Sequence, residues 1–151
     1  MIRWATQAKG EPPTWVSHVA LAVDSVNVVE AIGRGVVERR LWDAYPRSRV
    51  RVYRPTRLTD AERVRIAKRA ESHLGESYGV GRLALHGLDA LVGARFFRNF
   101  GSVRGRPICS WLVAEAYGLD GYTFGVDASA ADPDDVADFV AAHSDKYERV
   151  A

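Results

Sequence analysis

The chain has 151 residues, a formal net charge of +2, 47% hydrophobic residues and a single cysteine. That length suits one domain, 1–151, with a core of its own, and so small a net charge supplies no overall basic field for nucleic acid. One cysteine closes no internal disulfide, the opening Met1–Thr6 lacks the apolar run of a signal peptide, and no stretch approaches the roughly 20 apolar residues of a membrane span, so the expectation is a cytoplasmic protein with no transmembrane segment. The alternative is a phage-encoded protein or one secreted by another route.

The first third predicts strands. The stretches 15–24 (WVSHVALAVD) and 27–42 (NVVEAIGRGVVERRLW) are rich in Val, Ile and Leu and are separated by a polar break at Asp24-Ser25, a hairpin signal. Over 48–55 (SRVRVYRP), Val50 and Val52 alternate with Arg49 and Arg51, which predicts a strand with one wet face ending at Pro55. The period then changes. Thr59 and Glu62 form a capping box, Ile66, Ala67, Ala70 and Leu74 share a helical face, and Gly75 marks a stop. Helices are expected over 82–93 and 109–118. A fourth starts with Asp132 as N-cap, Pro133 in the first turn and acidic residues toward the dipole, and ends at His143. Strands followed by helices indicate an α+β domain.

Cys109 opens the third helix. The N–H groups at a helix start favour a thiolate and can bind the oxyanion of a tetrahedral intermediate. Free cysteine is nevertheless among the most buried residue types, so Cys109 taken alone reads as core. Of the four histidines, His73, His86 and His143 lie within helices or at a helix end, whereas His18 starts an otherwise apolar strand. There it serves either as a hydrogen-bonded core group or as a base facing a cleft. Glu30 interrupts Val28-Val29-Glu30-Ala31-Ile32, where an unpaired buried carboxylate is costly. It either points to water or accepts a hydrogen bond from His18, as the acid of a catalytic triad does.

Together these segments resemble a known family. "SHVALAVDSVNVVEA" resembles the histidine hairpin of NlpC-like papain-fold cysteine peptidases, in which the histidine precedes a polar third residue by twelve positions, the spacing of His18 and Glu30. "ICSWLVAEAYG" resembles that superfamily's nucleophile helix, and "LGESYGVG" its Gly-x-x-Tyr segment. Here the hairpin leads and the cysteine helix follows, the order of the circularly permuted, YiiX/YaeF-like branch. The resemblance implies a papain-like α+β fold with an antiparallel sheet packed against helices. It also implies amide-bond cleavage through an acyl-enzyme, with Cys109 as nucleophile, His18 as general base and then acid, and Glu30 as orienting carboxylate.

By the same resemblance Tyr78 would line the substrate site, its alternative role being a packed aromatic after a helix cap. Ser110 and Trp111 are taken as further substrate-binding residues, Trp111 either narrowing the cleft or packing in the core. The substrate would be a peptide, a peptidoglycan peptide or a lipid–amino acid amide. The chain departs from the ordinary family at Ile108, where an acid is usual, and at Trp111, where a small residue or Glu is usual. Two alternatives stay open: thioester acyl transfer of the lecithin:retinol acyltransferase-like type, and a binding protein on the same scaffold without turnover. No cofactor or metal is expected, since no Cys/His metal spacing is present and "GRGVVERR" lacks both the Lys and the helix context of a phosphate loop. The arginine-rich stretches 39–57 and 94–107 read as a solvated strand face and a loop whose phenylalanines pack down. One geometric difficulty stands. A tight turn around Ser25-Val26 sets Glu30 opposite Leu21 or Ala22, about 10 Å along the strand from His18, so that contact requires a bulge or strong coiling.

Overall fold

The computed structural model describes residues 16–77, 108–118, 128 and 131–151. Tyr78, the helix expected over 82–93 and the arginine- and phenylalanine-bearing segment 94–107 lie outside the described residues. The architecture is mixed α+β, with a three-stranded antiparallel sheet, a two-stranded antiparallel sheet and four helices among the described residues. No helix among these residues is long and apolar enough to cross a membrane.

The first sheet runs in the order β1 (Leu21–Ala22), β2 (Asn27–Ile32), β3 (Gly35–Arg40). The stretch 27–42, read from sequence as one strand, is therefore a second hairpin followed by a turn of helix. Gly33 and Arg34 form its two-residue turn, with Ile32 paired to Gly35. Gly35 is required there. Its φ is +121°, and a Cβ would lie 2.5 Å from the Glu76 carbonyl oxygen. That close approach lets the chain after the next long helix join the sheet, as the Val36 N–H donates to the Glu76 carbonyl at 2.9 Å and the Gly75 N–H to the Val36 carbonyl at 3.0 Å.

The first turn is set by Asp24. Its Oδ1 accepts from the Val26 N–H at 2.6 Å and the Asn27 N–H at 2.7 Å, while Asn27 Nδ2 donates to Oδ2 at 2.9 Å. The resulting register pairs Leu21 with Val29 and Ala22 with Val28. Val29 and Ala31 then face the main core, while Val28 and Glu30 occupy the opposite face of β2, and all four are buried.

After β3 the short α1 (Leu41–Ala44) turns back, its first N–H donating to the Val26 carbonyl at 2.9 Å. The strand expected over 48–55 is confined to β4 (Tyr53–Pro55), which pairs with β5 (Tyr147–Arg149) at the far end of the chain. Thr59 and Glu62 form the expected capping box of α2 (Asp60–Glu71). That helix ends before Leu74, which is 41% exposed and not on the buried face, and His73 falls in the turn beyond the helix. The helices α3 (Cys109–Gly118) and α4 (Pro133–Ala142) start and stop as their sequences suggest. Asp132 caps α4, accepting from the N–H groups of Asp134 at 3.0 Å and Asp135 at 2.9 Å. α3 is the central helix. It packs on α2, β2 and α4, and Leu112 and Ala116 are fully buried.

Loss of the α4 cap by Asp132→Ala should destabilise the fold by about 1–2 kcal/mol, because two backbone donors lose their acceptor. Gly35→Ala should cost about 2 kcal/mol or more through left-handed backbone strain and the clash with Glu76. Urea denaturation measures both; midpoints equal to the wild type would contradict this description of the two sites.

Candidate active site

Glu30 is fully buried, yet it carries a carboxylate. Such a group is tolerated only where donors replace water. Three are present. His18 Nε2 lies 2.7 Å from Glu30 Oε2, the Tyr45 hydroxyl donates to the same oxygen, and Arg39 Nη1 donates to Oε1 at 3.2 Å.

Each donor arrives by simple strand parity or by the turn of α1. Continuing the observed register by one step sets Glu30 opposite Ala20, two residues from His18 and on the same face. A diagonal cross-strand pair of this kind has Cα atoms about 7–8 Å apart, a gap that a Glu and a His side chain close together. The expected offset of about 10 Å is thus corrected. The Asp24 turn is one residue longer than the tightest alternative and slides Glu30 toward His18. On the other side of β2, Val28 pairs with Arg39 and Glu30 with Val37, so Arg39 is Glu30's diagonal neighbour on the same face. Tyr45 caps the C-terminus of α1, its N–H bonded to the Leu41 carbonyl at 3.0 Å, and this fold-back carries its phenol over Glu30.

Cys109 is the first residue of α3, whose first helical bond runs from the Leu112 N–H to the Ile108 carbonyl at 3.0 Å. Cys109 is 6% exposed, and its thiol lies close enough to the His18 ring to shift that group's titration. Because Nε2 is engaged by Glu30, Nδ1 is the ring nitrogen left to serve the sulfur. Burial by itself would lower the His18 pKa. Hydrogen bonds with Cys109 and Glu30, reinforced by the negative charges of both, outweigh burial and push it up to about 9. Burial would likewise raise the Glu30 carboxyl. Its hydrogen bonds from His18 and Tyr45 and the charges of His18 and Arg39 hold it below the ordinary carboxylate range. The His18 side chain remains 27% exposed while Glu30 is sealed, so the imidazole has a wet edge and a dry edge.

His18 and Glu30, expected as base and orienting acid, are therefore in direct contact, and Cys109, expected as nucleophile, acts on His18 through its electrostatics. Of the residues expected to line a substrate site, Ser110 is fully buried and its hydroxyl donates to the Ala131 carbonyl at 2.7 Å, tying α3 to the start of α4. Trp111 is half-buried against the core, with its ring edge-on to His73 at 5.2 Å, and His73 Nδ1 in turn lies 2.9 Å from Glu76 Oε1. Tyr78 is outside the described residues. Arg39 and Tyr45 had no place in the sequence reading. Once Gly33-Arg34 is recognised as a two-residue turn, parity alone assigns Arg39 to the face of Glu30. For Tyr45 no comparable signal exists. Among the described residues no three His, Cys, Asp or Glu side chains are grouped to hold a metal ion. Comparison with protein-family models, curated proteins and solved structures returns no match.

A histidine titration tests the electrostatics. His18 should stay protonated at neutral pH and titrate near pH 9, and Glu30→Gln should bring the midpoint down toward 6.5. The folded pKa is raised, so His18's contribution to stability is full below about pH 6.5, the unfolded value, and is lost as pH climbs through 9. A wild-type midpoint near 6.5 by imidazole NMR would contradict this arrangement.

Proposed function

We propose that the protein is a thiol-dependent amide hydrolase on a permuted papain-like scaffold, with Cys109 as nucleophile, His18 as general base and acid, and Glu30 as the carboxylate that orients His18. The observation carrying this reading is the single imidazole that meets a buried carboxylate at 2.7 Å through Nε2 and whose titration is raised by both that carboxylate and Cys109. The order of the contributing segments, with the histidine hairpin before the cysteine helix, supports the permuted arrangement.

The chemistry follows from the geometry. In the resting pair the proton of the thiol is held by His18, and the thiolate sulfur attacks the amide carbonyl carbon, forming a C–S bond and a tetrahedral oxyanion as the carbonyl π bond opens. The backbone N–H groups of Cys109 and Ser110 stand at the positive end of α3, beside the sulfur, and are the donors available to that oxyanion. As the C–N bond breaks, His18 returns the proton to the leaving amine. Water then attacks the acyl-enzyme with the now neutral His18 accepting a proton, and cleavage of the C–S bond releases the carboxylic acid and restores the resting pair of thiolate and protonated His18. Throughout, Glu30 keeps the Nε2–H tautomer aimed and stabilises the imidazolium. The substrate class is an amide of a carboxylic acid: a peptide, a peptidoglycan peptide or a lipid–amino acid amide.

Alkylation of Cys109 by iodoacetamide tests the pair without knowledge of the substrate. His18→Ala should slow the reaction at pH 7 by roughly 100-fold or more, the scale of a lost general base. An unchanged rate would refute the proposal. With an activated ester, intact-mass spectrometry should show one acyl group on the wild type and none on Cys109→Ala. An added amine acceptor then separates hydrolysis from acyl transfer by the product released.

A further inference from the structure

We infer that Tyr45 is a positioning residue of this site, acting on His18 through Glu30 as the fourth member of the chain Cys109–His18–Glu30–Tyr45. The inference rests on the function proposed above and adds a residue to it. Tyr45 and His18 donate to the same carboxylate oxygen, Oε2, while Arg39 occupies the other. A carboxylate held only by His18 and Arg39 keeps rotational freedom about its last side-chain torsion, which is broad and roughly two-fold. A second donor on Oε2 removes that freedom and keeps this oxygen turned to the imidazole. Tyr45 is itself held. The Arg39 guanidinium sits over its ring at 5.8 Å from the centroid, and the His18 ring lies beside it at 6.1 Å. Among the described residues the polar contacts of Glu30 thus belong to one network that includes Tyr45.

The test is a double-mutant cycle on the full chain, with the rate of iodoacetamide alkylation of Cys109 followed from pH 5 to pH 10. Tyr45→Phe keeps the ring and removes only the hydroxyl. It should slow alkylation at neutral pH roughly tenfold, the size of one charge-assisted hydrogen bond. In a Glu30→Gln background the same change should add less than about twofold, since its effect passes through that carboxylate. A Tyr45→Phe rate profile equal to the wild type, or an equal loss with and without Glu30, overturns the inference. If Tyr45→Phe does not fold, 3-fluorotyrosine at position 45 decides the matter, being close in shape and a stronger donor. Drawing negative charge from Glu30 toward the phenol should lower the His18 titration midpoint, and an unmoved midpoint overturns the inference. His18→Ala separates the two levels. Slowing there with none in Tyr45→Phe removes only the role of Tyr45, whereas no slowing in either variant removes the proposed function as well.

Discussion

A buried carboxylate in the middle of a sheet governs this fold. Glu30 lies on the central strand and is fully buried, where an ionised group without donors costs several kcal/mol. Its donors come from three places that only the folded chain brings together: the segment before β1, the far end of β3, and the residue closing α1. Each of them depends on a turn. The Asp24 turn sets the parity that puts His18 on Glu30's face, the Gly33-Arg34 turn does the same for Arg39, and the bond from Leu41 to Val26 folds α1 back so that Tyr45 reaches across. A one-residue slip in either hairpin would move a donor to the wrong face and leave the charge stranded.

The cysteine is supplied by different physics. α3 is apolar on almost every side and is packed among α2, β2 and α4, so its direction is fixed by the core. Cys109 stands at its first turn, where the helix dipole is positive and the surrounding packing dry. Among the described residues His18 is the group through which the polar network of the sheet is coupled to Cys109. With Glu30 held anionic on one side and the thiol on the other, the imidazole carries its proton through neutral pH. In the proposed reaction a cation so placed suits a nucleophile that must be charged before it attacks and a leaving group that must be protonated as it departs.

Much of this was legible from local chemistry. The capping boxes at Thr59 and Asp132 satisfy backbone donors by themselves, so the starts of α2 and α4 follow from a few adjacent side chains. The candidate triad was legible for a similar reason, since a histidine and a glutamate each break an apolar run. Elements decided by partners elsewhere in the chain were harder to read. Val50 and Val52 alternate with arginines as a strand would, yet β4 extends only over Tyr53–Pro55, where β5 provides a partner from the other end of the sequence. Leu74 continues the helical spacing of α2, but the chain leaves the helix to bond Val36 through Gly75 and Glu76, and Leu74 turns outward. The distance from His18 to Glu30 depended on turn length, which one Asp and one Asn decide through side-chain bonds to the backbone. Tyr45 depended on how a single turn of helix folds back, and nothing in "LWDAYP" states that.

Proximity of His18 and Cys109 is the central claim, and a bifunctional alkylating agent measures it directly. A three-carbon bis-electrophile such as 1,3-dibromoacetone first alkylates the thiol and then reacts only with a nucleophile within its short reach. The expected product is an intramolecular bridge, located by tandem mass spectrometry between the peptide containing Cys109 and the peptide containing His18. Modification of Cys109 with no bridge, or a bridge from it to His73 or another residue in place of His18, would contradict the arrangement.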